Sequence, residues 1–310
     1  MPLLIAGPTA VGKSEVALIL AERLKGEIIS VDSMQVYRGL NIGTAKPSST
    51  DRGRVPHHLI DVLDLAEGFD AARFVQLANA AIGEVQARGR LPILCGGTGL
   101  YFKAVLEGLG QAPRSDAGLR AQLEATPLAD LLAELAVHDP VSYETIDRQN
   151  PRRVIRAIEV LRLSGRPFSE QRALWSARHA SPSFPHMFFS LNRRVAELNH
   201  RIQARVDSMF KSGLVAETEE LLKRGLADNR TAAQALGYKQ VIEHLRGQRP
   251  LADTIELVKI RTRQFAKRQL TWFRRQLSPT WVRMESGQSP DLVADILERN
   301  LRKPQAEGSN

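Results

Sequence analysis

The chain has little cysteine and no long apolar run. Cys95 is the only cysteine among 310 residues, so an internal disulfide is impossible, and this fits a reducing cytosol. Cys95 ends an apolar segment, where we expect a small core residue rather than a nucleophile. No apolar stretch reaches the ~20 residues that span a bilayer, and the chain enters a strand at once, which leaves no room for a signal peptide. We therefore expect a cytoplasmic protein with no membrane partner.

The chain also lacks internal repeats and low-complexity segments, and its charge is unbalanced. Lys and Arg number 43 and Asp and Glu number 34, which gives a net charge of +9. A surplus of this size indicates a polyanionic partner, and solubility alone is the alternative. A hydrophobic fraction of 43% is sufficient for a core, and the length allows one large domain or two smaller ones.

One motif, at residues 7–14, dominates the N-terminal part of the chain. It reads GPTAVGKS, which fits the pattern G-x-x-x-x-G-K-[ST], and it lies between an apolar run at 3–6 and a helical pattern at 13–24. The glycines let successive N–H groups point into one concavity, and the following helix adds positive potential there. Lys13 supplies a full charge, and the Ser14 hydroxyl can ligate Mg²⁺. The motif predicts a diphosphate or triphosphate site that consists of Gly7, Pro8, Thr9, Ala10, Val11, Gly12, Lys13 and Ser14.

Two further predicted strands end in polar turns. Residues 27–31 predict a strand that ends at Asp32, and residues 91–95 predict a strand that is followed by GGTG. A strand–helix–strand start indicates a parallel sheet, in which ligands bind beyond the carboxyl ends of the strands. Asp32 can hold Mg²⁺ or accept a proton there, and an aspartate that caps a turn is the equal alternative. Thr98 would place a hydroxyl beside the phosphate loop, and it can also cap the next helix.

Between residues 113 and 183 the sequence changes character. Short helical segments are broken by prolines with no strand signal between them, which predicts a small helical insertion domain. The clearest helix begins at Pro151 and stops at Gly165. Cations near its N-terminus oppose the helix dipole, so a binding role is favoured over solvation. This basic face consists of Arg152, Arg153 and Arg156.

The C-terminal third carries most of the uncompensated charge. Residues 198–222 predict one helix with Arg201 and Arg205 one turn apart; a second arginine can neutralise phosphates, and salt bridges are the alternative. Residues 257–284 contain eight Lys and Arg residues and no acidic residue. A solvated helix normally mixes both signs, so this run, with Trp272 close by, indicates a surface for a phosphate backbone.

These motifs resemble the tRNA dimethylallyltransferase family, also called tRNA isopentenyltransferases. The resemblance runs from the first strand to about Trp281 and is weakest in the insertion. It rests on GPTAVGKS at 7–14, SVDS at 30–33 with QVY at 35–37, NIGTAKP at 41–47, PHHL at 56–59, GGT at 96–98 with LY at 100–101, GY at 237–238 with Gln240, and AKRQ at 266–269 with TW at 271–272.

The resemblance implies an α/β fold with a P-loop NTPase-like core. The core, a parallel sheet flanked by helices, is expected at 1–112 and 184–303, the tRNA-contacting helical insertion at 113–183 and a disordered tail at 304–310. The implied reaction moves the dimethylallyl group of dimethylallyl diphosphate to the exocyclic amine of the adenine immediately 3′ of the anticodon, and releases diphosphate. We expect a monomer that binds the tRNA anticodon stem-loop and uses Mg²⁺, with Ser14 as its ligand.

The resemblance also implies roles for individual residues. Asp32 matches the family's general base, Thr98 lines the channel in which adenine and diphosphate meet, and Arg205 joins the diphosphate site. The implied tRNA contacts are Asp32, Ser33, Met34, Gln35, Thr98, Arg120, Arg152, Arg153, Arg156, Gly237, Tyr238, Lys239, Lys267, Arg268, Gln269, Trp272 and Arg274.

Two other functions use some of the same features. A P-loop kinase for a nucleotide or small molecule would bind ATP on the same loop, but it would need neither the helical insertion nor the cationic helix. A non-enzymatic RNA-binding protein could hold a structural anion there, although Asp32 and Thr98 at two strand ends argue against it.

Overall fold

Six strands form one parallel sheet in the computed structural model, which describes residues 1–171 and 184–302, without the side chain of residue 302. The sheet order is β3-β2-β4-β1-β5-β6, and every neighbouring pair is parallel. The predicted α/β fold with a parallel sheet is confirmed, and the predicted tail at 304–310 lies outside the described residues. The strands are β1 (Leu3–Ala6), β2 (Gly26–Val31), β3 (His57–His58), β4 (Leu91–Gly96), β5 (Met187–Asn192) and β6 (Thr280–Arg283).

The helices fall into two units. The first unit contains the sheet and spans Met1–Leu106 and the described residues from Phe184 onward; the second spans Glu107–Ser183. The N-terminal part of the first unit contains α1 (Lys13–Arg23), α2 (Ser49–Arg54), α3 (Ala71–Ala87) and α4 (Gly99–Glu107). The second unit contains α5 (Ala117–Ala125), α6 (Leu128–His138), α7 (Pro140–Thr145), α8 (Pro151–Ser164) and α9 (Phe168–Gln171). The C-terminal part of the first unit contains α10 (Val195–Lys211), α11 (Leu214–Lys223), α12 (Tyr238–Leu245), α13 (Leu251–Gln276) and α14 (Pro290–Arg302).

Strand β1 lies inside the sheet and places the loop that follows it. Leu3, Leu4, Ile5 and Ala6 are fully buried, because β1 pairs with β4 on one side and β5 on the other and both sheet faces are covered. Strands β2, β3 and β4 lie on one side of β1 in the sheet, and β5 and β6 lie on the other side. The loop after β1 therefore lies at the switch point, where parallel sheets bind their ligands.

The second unit has a core of its own. Its described residues, 107–171, contain helices and no strand, and Leu123, Leu135 and Val154 are fully buried in its centre. It begins at Glu107, where the sequence predicts a start at 113. Within the described residues of both units, no helix has the length and apolar character needed to cross a membrane.

Two local features of the first unit differ from expectation. The single helix predicted at 198–222 is wrong, because Gly213 adopts a left-handed φ of 98° and separates α10 from α11. Strand β6 was not predicted, since four residues with exposed ends carry too short an apolar pattern. It forms by pairing with β5, in a register that aligns Phe189 with Thr280.

Candidate active site

The phosphate loop after β1 leaves its last amides free. Gly12 has a φ of 107° and Ala10 a φ of 64°, so the chain turns sharply before α1 begins at Lys13. Within the described residues, the backbone N–H groups of Gly12, Lys13 and Ser14 have no acceptor, and the Ser14 side chain is exposed. Free amides at a helix N-terminus, together with the helix dipole, form an anion site.

Three arginines from the segment after β5 contact this loop. Arg193 Nε donates to the Val11 carbonyl at 2.8 Å, and Arg201 Nε donates to the Ala10 carbonyl at 2.9 Å. Arg205 Nη1 bonds the Thr9 hydroxyl at 3.2 Å. Two loop carbonyls and one loop hydroxyl are thus bonded to arginines, so these side chains help to fix the shape of the loop.

Lys13 and Asp32 form the electrostatic centre of the site. The Lys13 ammonium donates to the Pro8 carbonyl at 2.8 Å and is enclosed, although the residue as a whole is half-buried. Burial lowers the pKa of Lys13 to about 8, and the positive charge of Arg205 adds to this, whereas Asp32 acts in the opposite direction. Burial also lowers the pKa of Arg205. The charged forms of Lys13 and Arg205 are thus destabilised by burial, and a bound anion would stabilise both.

Asp32 and Thr98 lie side by side at the carboxyl ends of β2 and β4. The Thr98 N–H donates to the Val31 carbonyl at 3.2 Å, one residue before Asp32. Asp32 Oδ1 accepts from the N–H groups of Met34 at 2.8 Å and Gln35 at 3.2 Å, so this oxygen forms a turn. Oδ2 accepts no hydrogen bond within the described residues. One carboxylate oxygen therefore fixes the side chain, and the other is available for chemistry.

Gln269 joins the two loops of the site. Its Oε1 accepts from the Thr9 N–H at 2.8 Å, and its Nε2 donates to the Gly97 carbonyl at 2.9 Å. A Cβ at residue 97 would lie 2.3 Å from Gln269 Nε2, which is why the turn after β4 needs glycine there. Gln269 is 8% exposed, and both the oxygen and the nitrogen of its amide take part in this bridge. The observed contacts give it a positioning role, and its tRNA contact stays a prediction.

A cavity of about 760 Å³ opens beside Arg205. Its wall is formed by the loop after β2, by Arg52 of α2 and by Asp61, and on the other side by Ser208 and Met209 of α10. Asp61 pairs with Lys46 at 2.6 Å and with Arg52 at 2.8 Å, so these two cations of the wall share one carboxylate. Arg205 connects this cavity with the phosphate loop, because it lines the cavity and also bonds the Thr9 hydroxyl.

The cationic surface is narrower than the sequence predicts. Lys259 pairs with Asp207 at 2.8 Å and Glu256 at 2.9 Å, and Arg283 pairs with Glu285 at 3.1 Å, so the prediction of eight uncompensated cations is wrong. Asp207 lies on another helix, whereas Glu256 and Glu285 lie directly before and after the span from which the prediction was made. In the described residues, six cations on α13 have no ion pair: Arg261, Arg263, Lys267, Arg268, Arg274 and Arg275.

Three of these cations, Lys267, Arg268 and Arg275, line a groove on α13. The groove measures about 560 Å³ and is lined by Gln264, Lys267, Arg268, Thr271, Trp272, Arg275 and Gln276. The Arg274 guanidinium lies 5.7 Å from the centre of the Trp281 ring. Cations beside aromatic rings are suited to phosphates and bases. The groove thus brings together three of the predicted tRNA contacts on α13.

The predicted basic face of the second unit contains both ion-paired and unpaired arginines. Arg156 donates to Glu159 at 2.8 Å and Arg120 donates to it at 3.2 Å, so both hold a fully buried carboxylate. Although burial raises the pKa of Glu159, hydrogen bonds from Ser115 and Arg156 hold it below its usual range. Arg152 and Arg153 are exposed and unpaired within the described residues, so they are the free cations of this face.

The remaining predicted tRNA contacts lie in the segment after Asp32 and at the start of α12. Ser33, Met34 and Gln35 are half-buried after Asp32. Gly237 and Tyr238 are buried at the start of α12, whereas Lys239 is exposed. The Tyr238 hydroxyl is bonded inside the protein, to Glu217 and to the Gly43 N–H.

Sequence reasoning missed two residues of the site. Arg193 is 8% exposed and bonds the phosphate loop, and Glu217 anchors the loop after β2. Neither belongs to a motif that predicts its contact. Arg193 is signalled only by its place directly after a strand, a position that the argument for Asp32 uses as well.

The site offers few ligands to a metal ion. In the part of the chain that the structure describes, no group of three His, Cys, Asp or Glu side chains is placed to hold one. Mg²⁺ binds by one or two protein oxygens together with substrate phosphates and water. The exposed Ser14 hydroxyl and the free Oδ2 of Asp32 fit that mode. Cys95 is no ligand candidate, since burial raises the pKa of its thiol to about 11.

Comparisons with known proteins find similar sequences over most of the chain. Residues 35–276 match the IPP transferase family. The chain is 46% identical to a tRNA dimethylallyltransferase of Desulforudis audaxviator over 93% of both chains, and 46% identical to tRNA dimethylallyltransferase 1 of Trichlorobacter lovleyi over 90% of this chain and 92% of that one. These similarities extend over at least nine-tenths of the chain.

Solved structures are similar as well. A tRNA isopentenylpyrophosphate transferase from Bacillus halodurans is 39% identical and covers 96% of both chains, with a TM-score of 0.69. A eukaryotic dimethylallyltransferase acting on tRNA is 26% identical, with a TM-score of 0.82, over 99% of this chain and 81% of that chain. The similarity thus includes the fold as well as the sequence.

Proposed function

Because this chain belongs to the IPP transferase family, we propose that it transfers the dimethylallyl group of dimethylallyl diphosphate to the exocyclic amine of the adenine immediately 3′ of the anticodon in tRNA, and releases diphosphate. One observation carries the proposal. The free amides of the phosphate loop and Lys13 lie together with a half-free carboxylate, Asp32, whose charge acts on both Lys13 and Arg205. An anion site next to a proton acceptor is suited to a reaction with a diphosphate leaving group.

The phosphate loop stabilises the leaving group. The bond between the allylic carbon and the diphosphate oxygen breaks, and negative charge develops on that oxygen. The N–H groups of Gly12, Lys13 and Ser14 and the Lys13 ammonium are fixed before the reaction, so they stabilise this charge without reorganisation. Arg205 adds a second positive charge to the site.

Asp32 accepts the proton of the nucleophile. The amine of adenine is a weak nucleophile, since its lone pair is delocalised into the ring. As its nitrogen bonds the allylic carbon, a proton must leave, and the free Oδ2 of Asp32 takes it. Thr98, next to Asp32 in space, lines the position of the base. The adenine must leave its stacked position in the anticodon loop to reach this depth.

Mg²⁺ fits the site as a partner of the diphosphate. When bound, it would neutralise charge on the leaving diphosphate. The Ser14 hydroxyl would hold it, together with oxygens of the substrate.

The tRNA binds through its phosphates. The unpaired cations that line the groove beside Trp272, together with Arg274, form one surface for the anticodon stem-loop, and Arg152 and Arg153 of the second unit supply a further basic face. We also propose that the enzyme acts as a monomer in the cytoplasm. One chain supplies every proposed residue, and the single thiol fits a reducing compartment.

The experiment compares two donors and two acceptors. Labelled dimethylallyl diphosphate and ATP labelled in the γ-phosphate are each incubated with the enzyme, Mg²⁺ and an anticodon stem-loop. We expect label from the prenyl donor in RNA that has adenine 3′ of the anticodon. A matched stem-loop with inosine at that position lacks the exocyclic amine and should stay unlabelled.

Two results would overturn the proposal. Transfer of the γ-phosphate of ATP, with no prenyl transfer, would indicate the kinase alternative. Equal labelling of the adenine and inosine stem-loops would show that the amine is not the acceptor. In the structure, β4, β5 and β6 end without an aspartate, which is where a kinase would place a second carboxylate for its metal.

A further inference from the structure

The loop at residues 41–46 is held by two side chains that the proposed chemistry does not use. Glu217 of α11 accepts the Ile42 N–H, at 2.9 Å to Oε1 and 3.1 Å to Oε2. The Tyr238 hydroxyl donates to Glu217 Oε1 and accepts the Gly43 N–H at 3.1 Å. Two successive amides of the loop thus bond to one carboxylate–phenol pair, which we call the Glu217–Tyr238 clamp.

The clamp is closely packed. Tyr238 is fully buried, and a Cβ at residue 43 would lie 2.4 Å from its Cε2, so the ring packs directly against the loop backbone. Burial and the neighbouring Glu217 carboxylate raise the pKa of the Tyr238 hydroxyl, which therefore remains a donor. A side chain in this position has no free polar atom to offer to RNA.

The clamped loop in turn holds the segment that follows Asp32. Gln35 Nε2 donates to the carbonyls of Thr44 at 3.2 Å and Ala45 at 3.4 Å, and Gln35 Oε1 accepts from the Ser30 hydroxyl at 2.8 Å. The backbone N–H of Gln35 donates to Asp32 Oδ1 at 3.2 Å. A continuous series of hydrogen bonds therefore runs from the clamp through the loop and Gln35 to the carboxylate.

The same loop forms a wall of the large cavity. Asn41, Ile42, Ala45 and Lys46 line it, and Arg205 is a further lining residue. A shift of the loop would therefore change both the surroundings of Asp32 and the space beside the diphosphate site.

We propose that Glu217 and Tyr238 are positioning residues for prenyl transfer, which act by holding the loop at 41–46 so that Gln35 and Asp32 keep their places. This inference rests on the proposed function. It also assigns Tyr238 a role other than the tRNA contact that the sequence predicts.

The test removes one hydroxyl. Tyr238→Phe keeps the ring and loses the two hydrogen bonds of the hydroxyl, to Glu217 and from Gly43, while Glu217 can still accept the Ile42 N–H. We expect the single-turnover transfer rate at saturating tRNA and donor to fall by up to about 10²-fold, as for a small displacement of a reacting group. The dissociation constants of tRNA and dimethylallyl diphosphate should stay within about twofold, because the phosphate loop and the cationic groove are unchanged.

A matched control lies one residue from Glu217. Thr218 is fully buried and bonds the Leu214 carbonyl of its own helix at 2.7 Å. Thr218→Val removes a buried hydroxyl from the same helix without touching the loop. Its transfer rate should equal that of the parent enzyme, even where its thermal stability falls as far as that of Tyr238→Phe.

A double-mutant cycle tests the path. If Tyr238 acts through Gln35, adding Tyr238→Phe to the Gln35→Ala variant should lower its transfer rate only slightly. The effects of the two substitutions on the rate are then not additive. Full additivity of the two effects would show that Tyr238 does not act through Gln35. Weaker tRNA binding with an unchanged rate at saturation would overturn the positioning role and make Tyr238 an RNA contact.

Hydrogen exchange tests the clamp apart from the reaction. The amides of Ile42 and Gly43 should be protected in the parent protein, and should exchange faster in Tyr238→Phe than in Thr218→Val. Unchanged exchange would overturn the clamp even if transfer occurs. Faster exchange in a protein that fails to transfer the prenyl group would refute the proposed function and leave the clamp in place.

Discussion

Gln269 and Thr9 are 260 residues apart in the chain, and a hydrogen bond of 2.8 Å joins the side-chain Oε1 of one to the backbone N–H of the other. Because the Gln269 Nε2 also donates to the Gly97 carbonyl, one amide fixes the phosphate loop after β1 and the turn after β4 relative to each other. The diphosphate site and Thr98 are thereby assembled by a residue of the same helix that carries the cationic groove.

Gln269→Ala should therefore reduce both stability and transfer. The buried Thr9 N–H and Gly97 carbonyl would lose their partner, which costs roughly 1–3 kcal/mol for each group left unsatisfied. Urea unfolding and single-turnover transfer measure the two effects. Gln203→Ala, an exposed glutamine on α10, is the control and should change neither. If both variants behave alike, the bridge contributes nothing to the site.

Lys13→Ala should remove most of the turnover. The loss of one charged donor from the leaving group should raise the barrier by roughly 2.7–4 kcal/mol. Turnover is measured with saturating donor and Mg²⁺, beside Lys223→Ala, which removes an exposed lysine far from the phosphate loop in sequence. Near-normal turnover of Lys13→Ala would falsify the assignment of this loop to the reacting phosphates.

Donor binding should take up protons near pH 8. The pKa of Lys13 in the folded protein is about 8, below the ordinary 10.5. The free energy of unfolding therefore increases as the pH rises from about 8 to 10.5, because the unfolded chain binds more protons in this range. Below pH 8 the folded protein carries the full cost of a buried, charged ammonium. A bound diphosphate favours the ammonium, and the donor's terminal phosphate is already ionised at pH 8. We expect an uptake of up to about half a proton per site at that pH.

Calorimetry in two buffers of different ionisation enthalpy measures this uptake. Lys13→Arg is the control, because its guanidinium is charged at every pH used and should take up no proton. Equal uptake by Lys13→Arg and the parent enzyme would assign the proton to another group.

Arg274→Gln with Arg275→Gln should weaken tRNA binding and flatten its salt dependence. Each phosphate contact that is lost should lower the slope of log K against log salt by about one unit or slightly less. Arg54→Gln with Lys223→Gln removes two cations that are ion-paired elsewhere and serves as the control. An unchanged slope in the Arg274 and Arg275 variant would place the tRNA surface elsewhere.

Asp32→Asn should slow transfer by ~10²–10⁴-fold, as expected when a general base is lost. The asparagine Oδ1 can still accept from Met34 and Gln35, so the turn persists and substrate binding should change much less. Asp70→Asn neutralises a helix cap that asparagine also supports and should have the parent rate.

A Mg²⁺ and pH series separates two roles of Asp32. Loss of a base changes the pH profile of the single-turnover rate, and added Mg²⁺ cannot restore it. Rescue of Asp32→Asn by Mg²⁺ with an unchanged pH profile would instead make Asp32 a ligand of the metal.

The sequence by itself determined the parts of this protein that are local. The apolar run at 3–6, the GPTAVGKS motif and Asp32 at the end of β2 are short segments, and backbone geometry requires particular residue types at particular spacings there. They predicted the parallel sheet and the place of the site. The boundaries of α8 were predicted for the same reason, since Pro151 begins it and Gly165 follows its end.

Only the tertiary structure decided which distant groups meet. The hydrogen bond of Gln269 to Thr9, the contact of Arg193 with Val11 and the clamp of Glu217 on Ile42 join segments that carry no shared pattern. The same is true of Lys259, whose partner Asp207 lies on another helix. A side chain's partners depend on how helices pack against the sheet. That packing is set by the burial of the whole core, whereas a motif reports only the requirements of its own few residues.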